Sequence, residues 1–146
     1  MKILVKILKW LGGIVLVLGA IVFILYLIYF RPFLQKMNET HTLQYDKELT
    51  LVIGGGGNSG ILVSDSLVLV IDTKMGKAAD SLYKMAKEIA GAKPIAVVNT
   101  HIHADHTGGN KLYMGMTIIA GGSYTPEQWL KEDGQEGMPT KWIKTS

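Results

Sequence analysis

Cysteine is absent from the 146-residue chain. That excludes disulfides and thiolate metal sites and leaves imidazoles and carboxylates as the strong ligands on hand. Charge is absent from residues 10–30, a run of 21 residues that are almost all Leu, Ile, Val, Phe, Tyr or Gly. As a helix this run spans about 31 Å at about 1.5 Å per residue, which matches a bilayer's hydrocarbon core. A polar face is absent as well between Leu11 and Phe30, which argues against a helix of a soluble core, since such helices keep a polar side toward water. Acidic residues are absent from the first 36 positions, which hold five of the fifteen Lys and Arg and none of the twelve Asp and Glu. Residues 37–146 therefore carry ten basic against twelve acidic side chains, so the excess positive charge flanks the apolar run and points to no nucleic-acid partner.

A cleaved secretory signal is the alternative for this run. Its apolar stretch is usually about 7 to 15 residues and ends at small residues, whereas Gly19 and Ala20 lie mid-run with ten more apolar residues behind them. The expectation is an uncleaved, single-pass anchor over 10–30, with Trp10, Tyr26 and Tyr29 at headgroup level. Lys2, Lys6 and Lys9 precede it and Arg31 and Lys36 follow, which puts residues 1–9 in the cytoplasm as a short tail and the rest outside it. Counting out to Lys47 makes three against three and leaves the α-amino group as tie-breaker. Residues 31–45, broken by Pro32, read as a linker, and 46–146 as the domain.

Residues 49–53, 60–63 and 67–71 are rich in Val, Ile and Leu and are separated by Gly-rich or Asp-Ser turns, as in consecutive antiparallel strands. Gly54 to Gly57 and Asn58 join the first two. This loop contains a formal GxGxxG at Gly55, Gly57 and Gly60, but a β-branched run follows where a dinucleotide site needs a helix, so a glycine hairpin is the reading taken. Residues 76–91 switch to helical spacing, with Leu82, Met85, Ala86 and Ile89 on one stripe and Gly91 as the stop. Pro94 opens an apolar strand over 95–98 whose lack of alternation predicts burial on both faces. A short helix starting near 107–110, a strand over 117–120 and an amphipathic piece over 125–131 follow.

That buried strand runs directly into His101, His103, Asp105 and His106, three of the four histidines and a carboxylate within six residues. A tight loop leaving the strand turns His101 and His103 toward one point, while Asp105 and His106 reach a second point beside it. Such donors suit zinc, and also iron or manganese where carboxylates predominate. Two ions about 3.5 to 4 Å apart can share and acidify a water, which implies hydrolysis. The plainer alternative is a polar loop that caps the next helix. His41 stands alone and reads as a solvated loop residue.

HIHADH followed by TGGN resembles the HxHxDH signature of the metallo-β-lactamase superfamily, and a glycine hairpin, a VLVIDT strand and a helix precede it in the expected order. The resemblance covers roughly residues 49–120, and implies an α/β (α+β) fold: the N-terminal half of an αββα sandwich, here behind one transmembrane helix. By the resemblance His101 and His103 match ligands of a first zinc ion, and Asp105 and His106 ligands of a second, with Asp105 the candidate catalytic carboxylate. Asp72, at the end of VLVIDT, matches a position that supports the metal loop from behind; a simple turn or cap residue is its alternative.

The family completes its sites with later histidines and a bridging aspartate. No histidine follows His106, and Asp133, the only later aspartate, lies in an EDGQEG run that reads as a solvent turn. Residues 138–146 read as a loop leading toward another element. The expectation is therefore a truncated or frameshifted product: a membrane-anchored metallohydrolase by family, acting on an unidentified small molecule, whose activity as this chain is in doubt. The alternative is a non-catalytic half-domain that binds metal weakly or associates with a complementing chain. An uncovered sheet face invites such self-association.

Overall fold

The computed structural model describes residues 2–122, 124–133 and 135–143, without the side chains of Met37, Asp133 and Gln135. The chain divides into two compact units, residues 1–36 and 37–146.

In the first unit, helix α1 (Lys2–Leu25) passes through a π-helical turn (Tyr26–Phe30) into α2 (Arg31–Met37) without a break. The stretch Lys2–Lys36 is long and apolar enough to cross a membrane and none of its hydrophobic window is buried in the protein. A proline inside a helix removes one backbone donor and crowds the carbonyl one turn back. The wider turn just before Pro32, where the Arg31 N–H reaches the Tyr26 carbonyl, coincides with that disturbance. The chain from 31 to 45, read above as linker, thus carries α2 and a further strand, β1 (Thr40–Gln44).

In the second unit a single sheet follows chain order: β1, β2 (Leu49–Gly54), β3 (Ser59–Val63), β4 (Val68–Ile71), β5 (Ile95–Asn99), β6 (Thr117–Ala120) and β7 (Lys141–Trp142). The first four strands pair antiparallel. From β4 onward the pairing is parallel, and between β4 and β5 the crossover that this requires is α3 (Gly76–Ala90). Gly91, left-handed at φ 58°, ends that helix. A short helix α4 (Ala104–Thr107) precedes a 3-10 turn (Asn110–Tyr113) that begins where a helix was expected to start, and α5 (Pro126–Asp133) covers the amphipathic piece. The short strand β7 lies within the segment read as a loop; residues 144–146 and the side chain of Asp133 lie outside the described residues.

Register decides which side chains become core. Ile61, Val70, Val97 and Ile118 are cross-strand neighbours in one row, and they pack with Leu82 and Ala86 of α3 and with Tyr113. Tyr113 meets the Tyr83 ring edge-on at 5.0 Å. A smaller cluster of Ile102, Ala120 and Trp129 lies beyond, with Trp142 edge-on to Trp129 at 5.7 Å. The opposite row, Leu51, Ile71, Val98 and Ile119, is only half-buried. Burial of β5 on both faces is therefore not what the structure has: Ile95, Val97 and Asn99 are buried, while Ala96 and Val98 are partly open, because the helical layer lies against the other face.

Two substitutions separate packing from polarity in this core. Leu82→Ala removes fully buried methyl groups and is expected to lower the unfolding free energy by about 2–5 kcal/mol. Tyr113→Phe removes a buried hydroxyl that meets no partner among the described residues, and is expected to stay within about 1 kcal/mol of the parent or exceed it. Chemical denaturation of the full chain in detergent reads both, and equal losses would contradict this packing.

Candidate metal centre

The parallel half of the sheet brings two strand ends side by side, the place where α/β sheets present their sites. β4 ends at Ile71 and runs into Asp72, whose N–H still bonds the Val98 carbonyl at 2.9 Å. β5 ends at Asn99 and runs into Thr100 and the histidines. Asp72 and Lys74 both adopt left-handed backbone, at φ 58° and 61°, so the chain reverses sharply enough for three successive side chains to face different parts of the site.

Asp72, 3% exposed, is the hub. Its Oδ1 accepts the Thr100 N–H at 2.8 Å, and its Oδ2 lies 2.7 Å from the Thr100 hydroxyl and 2.8 Å from His106 Nδ1. The Thr100 hydroxyl has one proton and donates it to Asp72, so toward His101 Nδ1, 2.9 Å away, it can only accept. Both imidazoles are thereby held with the proton on Nδ1, and the Nε2 lone pairs of His101 and His106 are left free.

Backbone positions are fixed by a second set of buried bonds. Asn99 and Asn110 exchange amide hydrogen bonds at 2.9 and 3.2 Å, Thr73 donates to Asn110 Oδ1 at 2.9 Å, and the His106 carbonyl accepts from the Thr73 N–H at 2.7 Å and from Asn99 Nδ2 at 3.0 Å. His103 caps α4: its carbonyl accepts the N–H groups of His106 and Thr107 at 2.8 and 3.1 Å. The rings converge as a result. His101 lies 4.7 Å from His103 and 4.0 Å from His106, centroid to centroid, and Asp105 Oδ2 is 3.4 Å from His106 Nε2.

The glycine loop closes this side. A methyl group built on Gly57 would stand 2.8 Å from His106 Nε2 and 2.9 Å from the Asp105 carbonyl, and one on Gly56 would stand 3.1 Å from Asp105 Cβ. Only glycine lets the backbone approach so closely, and Gly54, Gly55 and Gly56 all have positive φ. Beneath the loop lies Lys74, fully buried, with Nζ 2.6 Å from the Gly54 carbonyl and 2.5 Å from that of Gly57. Burial pushes its ammonium down to about 8, and the Asp72 carboxylate opposes that drop.

The four residues singled out from the motif are thus brought together, with Asp72 behind them, while His41 is exposed on the edge strand β1. In chemical kind the donors fit a divalent transition ion: imidazoles with free Nε2 atoms and a carboxylate. Among the described residues no group of three His, Asp or Glu side chains is arranged to hold one ion, so the set is gathered rather than closed. Sequence reasoning missed Lys74, Thr73 and Asn99. A lysine after an apolar strand carries no signal that it will be buried.

If Asp72 is the hub, Asp72→Ala should lower the unfolding free energy by about 3 kcal/mol or more, since each hydrogen bond to a charged group is worth about 1.5–3 kcal/mol. His41→Ala, at an exposed edge position, should change it by less than about 0.5 kcal/mol. Thermal denaturation of the two variants in the same detergent is the check, and similar midpoints would remove Asp72 from that role.

The family model of the metallo-beta-lactamase superfamily matches residues 52–127, just over half of the chain. Among curated proteins none matches the sequence. Solved structures similar in fold include the metallo-beta-lactamase from Pontibacter korlensis, at 17% identity and a TM-score of 0.59 over 73% of this chain and 54% of that one. DIM-1 metallo-beta-lactamase gives 19% identity and 0.57 over 73% and 52%, and the enzyme from Erythrobacter litoralis 20% and 0.54 over 74% and 51%. The chain spans about half the length of the solved structures it matches. With the matched segment running from β2 through the histidine loop into α5, this chain belongs to the metallo-beta-lactamase superfamily.

Proposed function

We propose that this chain is the anchored N-terminal half of a zinc-dependent hydrolase. The observation that carries it is the Asp72 relay, which leaves the Nε2 atoms of His101 and His106 free. His101 and His103 would hold one ion, and Asp105 and His106 a second, with iron or manganese as alternatives to zinc. Zinc, when bound, supplies Lewis acidity toward a substrate oxygen. The chain's own part is to orient: Asp72 and Thr100 fix the tautomers, Asn99 and Asn110 fix the loop backbone, and the glycine loop shields one side of His106 from water.

A catalytic zinc site ordinarily takes three protein ligands and keeps one open position. Each pair here offers two, so the remaining ligands would come from polypeptide beyond the described residues or from a complementing chain. The same count favours a second reading, a non-catalytic anchored half-domain that binds metal weakly.

The anchor would place the domain at a membrane surface. Lys2, Lys6 and Lys9 before the apolar run, against Arg31 and Lys36 after it, support a single pass with the N-terminus in the cytoplasm. A small molecule is the expected substrate, and its class is set by loops that about half the fold's length would contribute.

Elemental analysis of the purified full chain after dialysis against zinc tests the metal assignment. His103→Ala is expected to weaken zinc binding at least about tenfold, on the scale of losses seen when a metal site loses a supporting group, while His41→Ala leaves it unchanged. Equal zinc content in both variants would sink the assignment. Turnover of a β-lactam, thioester or phosphoester by the monodisperse chain would decide for the hydrolase over the half-domain. Protease digestion of inside-out and right-side-out vesicles reads the orientation, and cleavage of the domain from the cytoplasmic face would reverse it.

A further inference from the structure

Lys74 is a charged side chain with no solvent exposure and left-handed backbone, and the metal chemistry leaves it without a task. A non-glycine residue is disfavoured in that conformation, and a buried ammonium is retained only where partners satisfy it. Its partners are two carbonyls of a single loop, those of Gly54 and Gly57. That loop packs down on the lysine: a methyl group on Gly55 would meet Lys74 Cδ at 3.5 Å and Ala78 Cβ at 2.6 Å. A methyl group on Gly57 would stand 2.8 Å from His106 Nε2, so the loop backbone lies close beside that nitrogen.

The three residues of the turn therefore divide the site among them. Asp72 holds the His106 ring and Thr100, Thr73 holds the His106 carbonyl and Asn110, and Lys74 holds the glycine loop.

We propose that Lys74 is a positioning residue, a buried tether that fixes the 54–57 loop against the free nitrogen of His106 and so sets the space in which that nitrogen can take a ligand. Without the ammonium, the two carbonyls have no donor beneath them, and glycines with positive φ leave the loop many other conformations. The tether stands on hydrogen-bond geometry alone; its bearing on ligand binding rests on the reading of His106 as a metal ligand.

The test uses the full chain, metal-free, in detergent, so that it stands apart from any failure of zinc binding. Lys74→Met keeps the stem and removes the donors. Amide hydrogen exchange in a peptide covering residues 54–60 is expected to quicken at least tenfold, with α3 unchanged. The chain has no cysteine, so Lys74→Cys can be aminoethylated when unfolded, which rebuilds an ammonium at nearly the same reach; refolding should return the loop to its parental exchange. An unaltered loop in a folded Lys74→Met, or a fast loop after aminoethylation, overturns the proposal. Should Lys74→Met fail to fold, nitrogen-15 labelling of lysine in the parent chain decides: one ammonium signal protected from solvent exchange is expected and should correlate with Gly54 or Gly57, and no protected lysine overturns the tether. Zinc affinity of Lys74→Met, measured separately, then reports whether the loop's placement matters to His106.

Discussion

The Asp72 carboxylate organises the second unit's functional end. A buried, ionised carboxylate is unfavourable unless its oxygens are hydrogen-bonded, and here the bonds come from a backbone N–H, a hydroxyl and an imidazole that all belong to the neighbouring strand's loop. Satisfying Asp72 and arranging the histidines are the same event. The fold cannot bury the end of β4 comfortably without also turning His106 and, through Thr100, His101 so that their Nδ1 atoms point inward. This is the carboxylate–histidine arrangement that orients metal ligands elsewhere, extended by one hydroxyl to a second ring.

That constraint depends on the sheet. Parallel pairing of β4 with β5 puts Ile71 beside Val98, so Asp72 and Thr100 leave the two strands at the same level. The crossover through α3 makes the parallel pair, and α3's Leu82 and Ala86 bury the face that holds the register. Polar contacts then finish what packing begins: the Asn99–Asn110 pair ties the histidine loop's base to the turn after α4. The opposite face, with Leu51, Ile71, Val98 and Ile119 half-buried, shares these strands but lies away from the helical layer. In length the chain corresponds to about half of the solved structures whose fold it shares.

Much of this was legible locally. Strands β2, β3 and β4, the glycine hairpin and α3 were each readable from composition and period, because alternation, β-branching and a glycine stop act over a few residues. The clustering of His101, His103, Asp105 and His106 was readable for the same reason. β1 was not: its partner register to β2 decides it, and a polar THTLQ segment has no strand signature of its own. The continuation of the apolar helix through Pro32 was also hidden, since a wider helical turn can absorb a proline and no sequence rule marks where it will. The apolar run 95–98 read as buried on both sides, yet composition reports a strand's preference and only the layering shows which face is covered.

What the sequence alone determined is what neighbouring residues can express: an uncharged stretch long enough for a bilayer, the order of β2 to β4, α3, β5 and β6, and the identity and spacing of the imidazole and carboxylate groups. Tertiary structure decided everything that joins distant positions. Asp72 meets Thr100 across 28 residues and His106 across 34, and Lys74 reaches back 17 to 20 residues to the glycine loop. A hydrogen bond of that kind is set by where two strands end in space, and no local pattern carries that information.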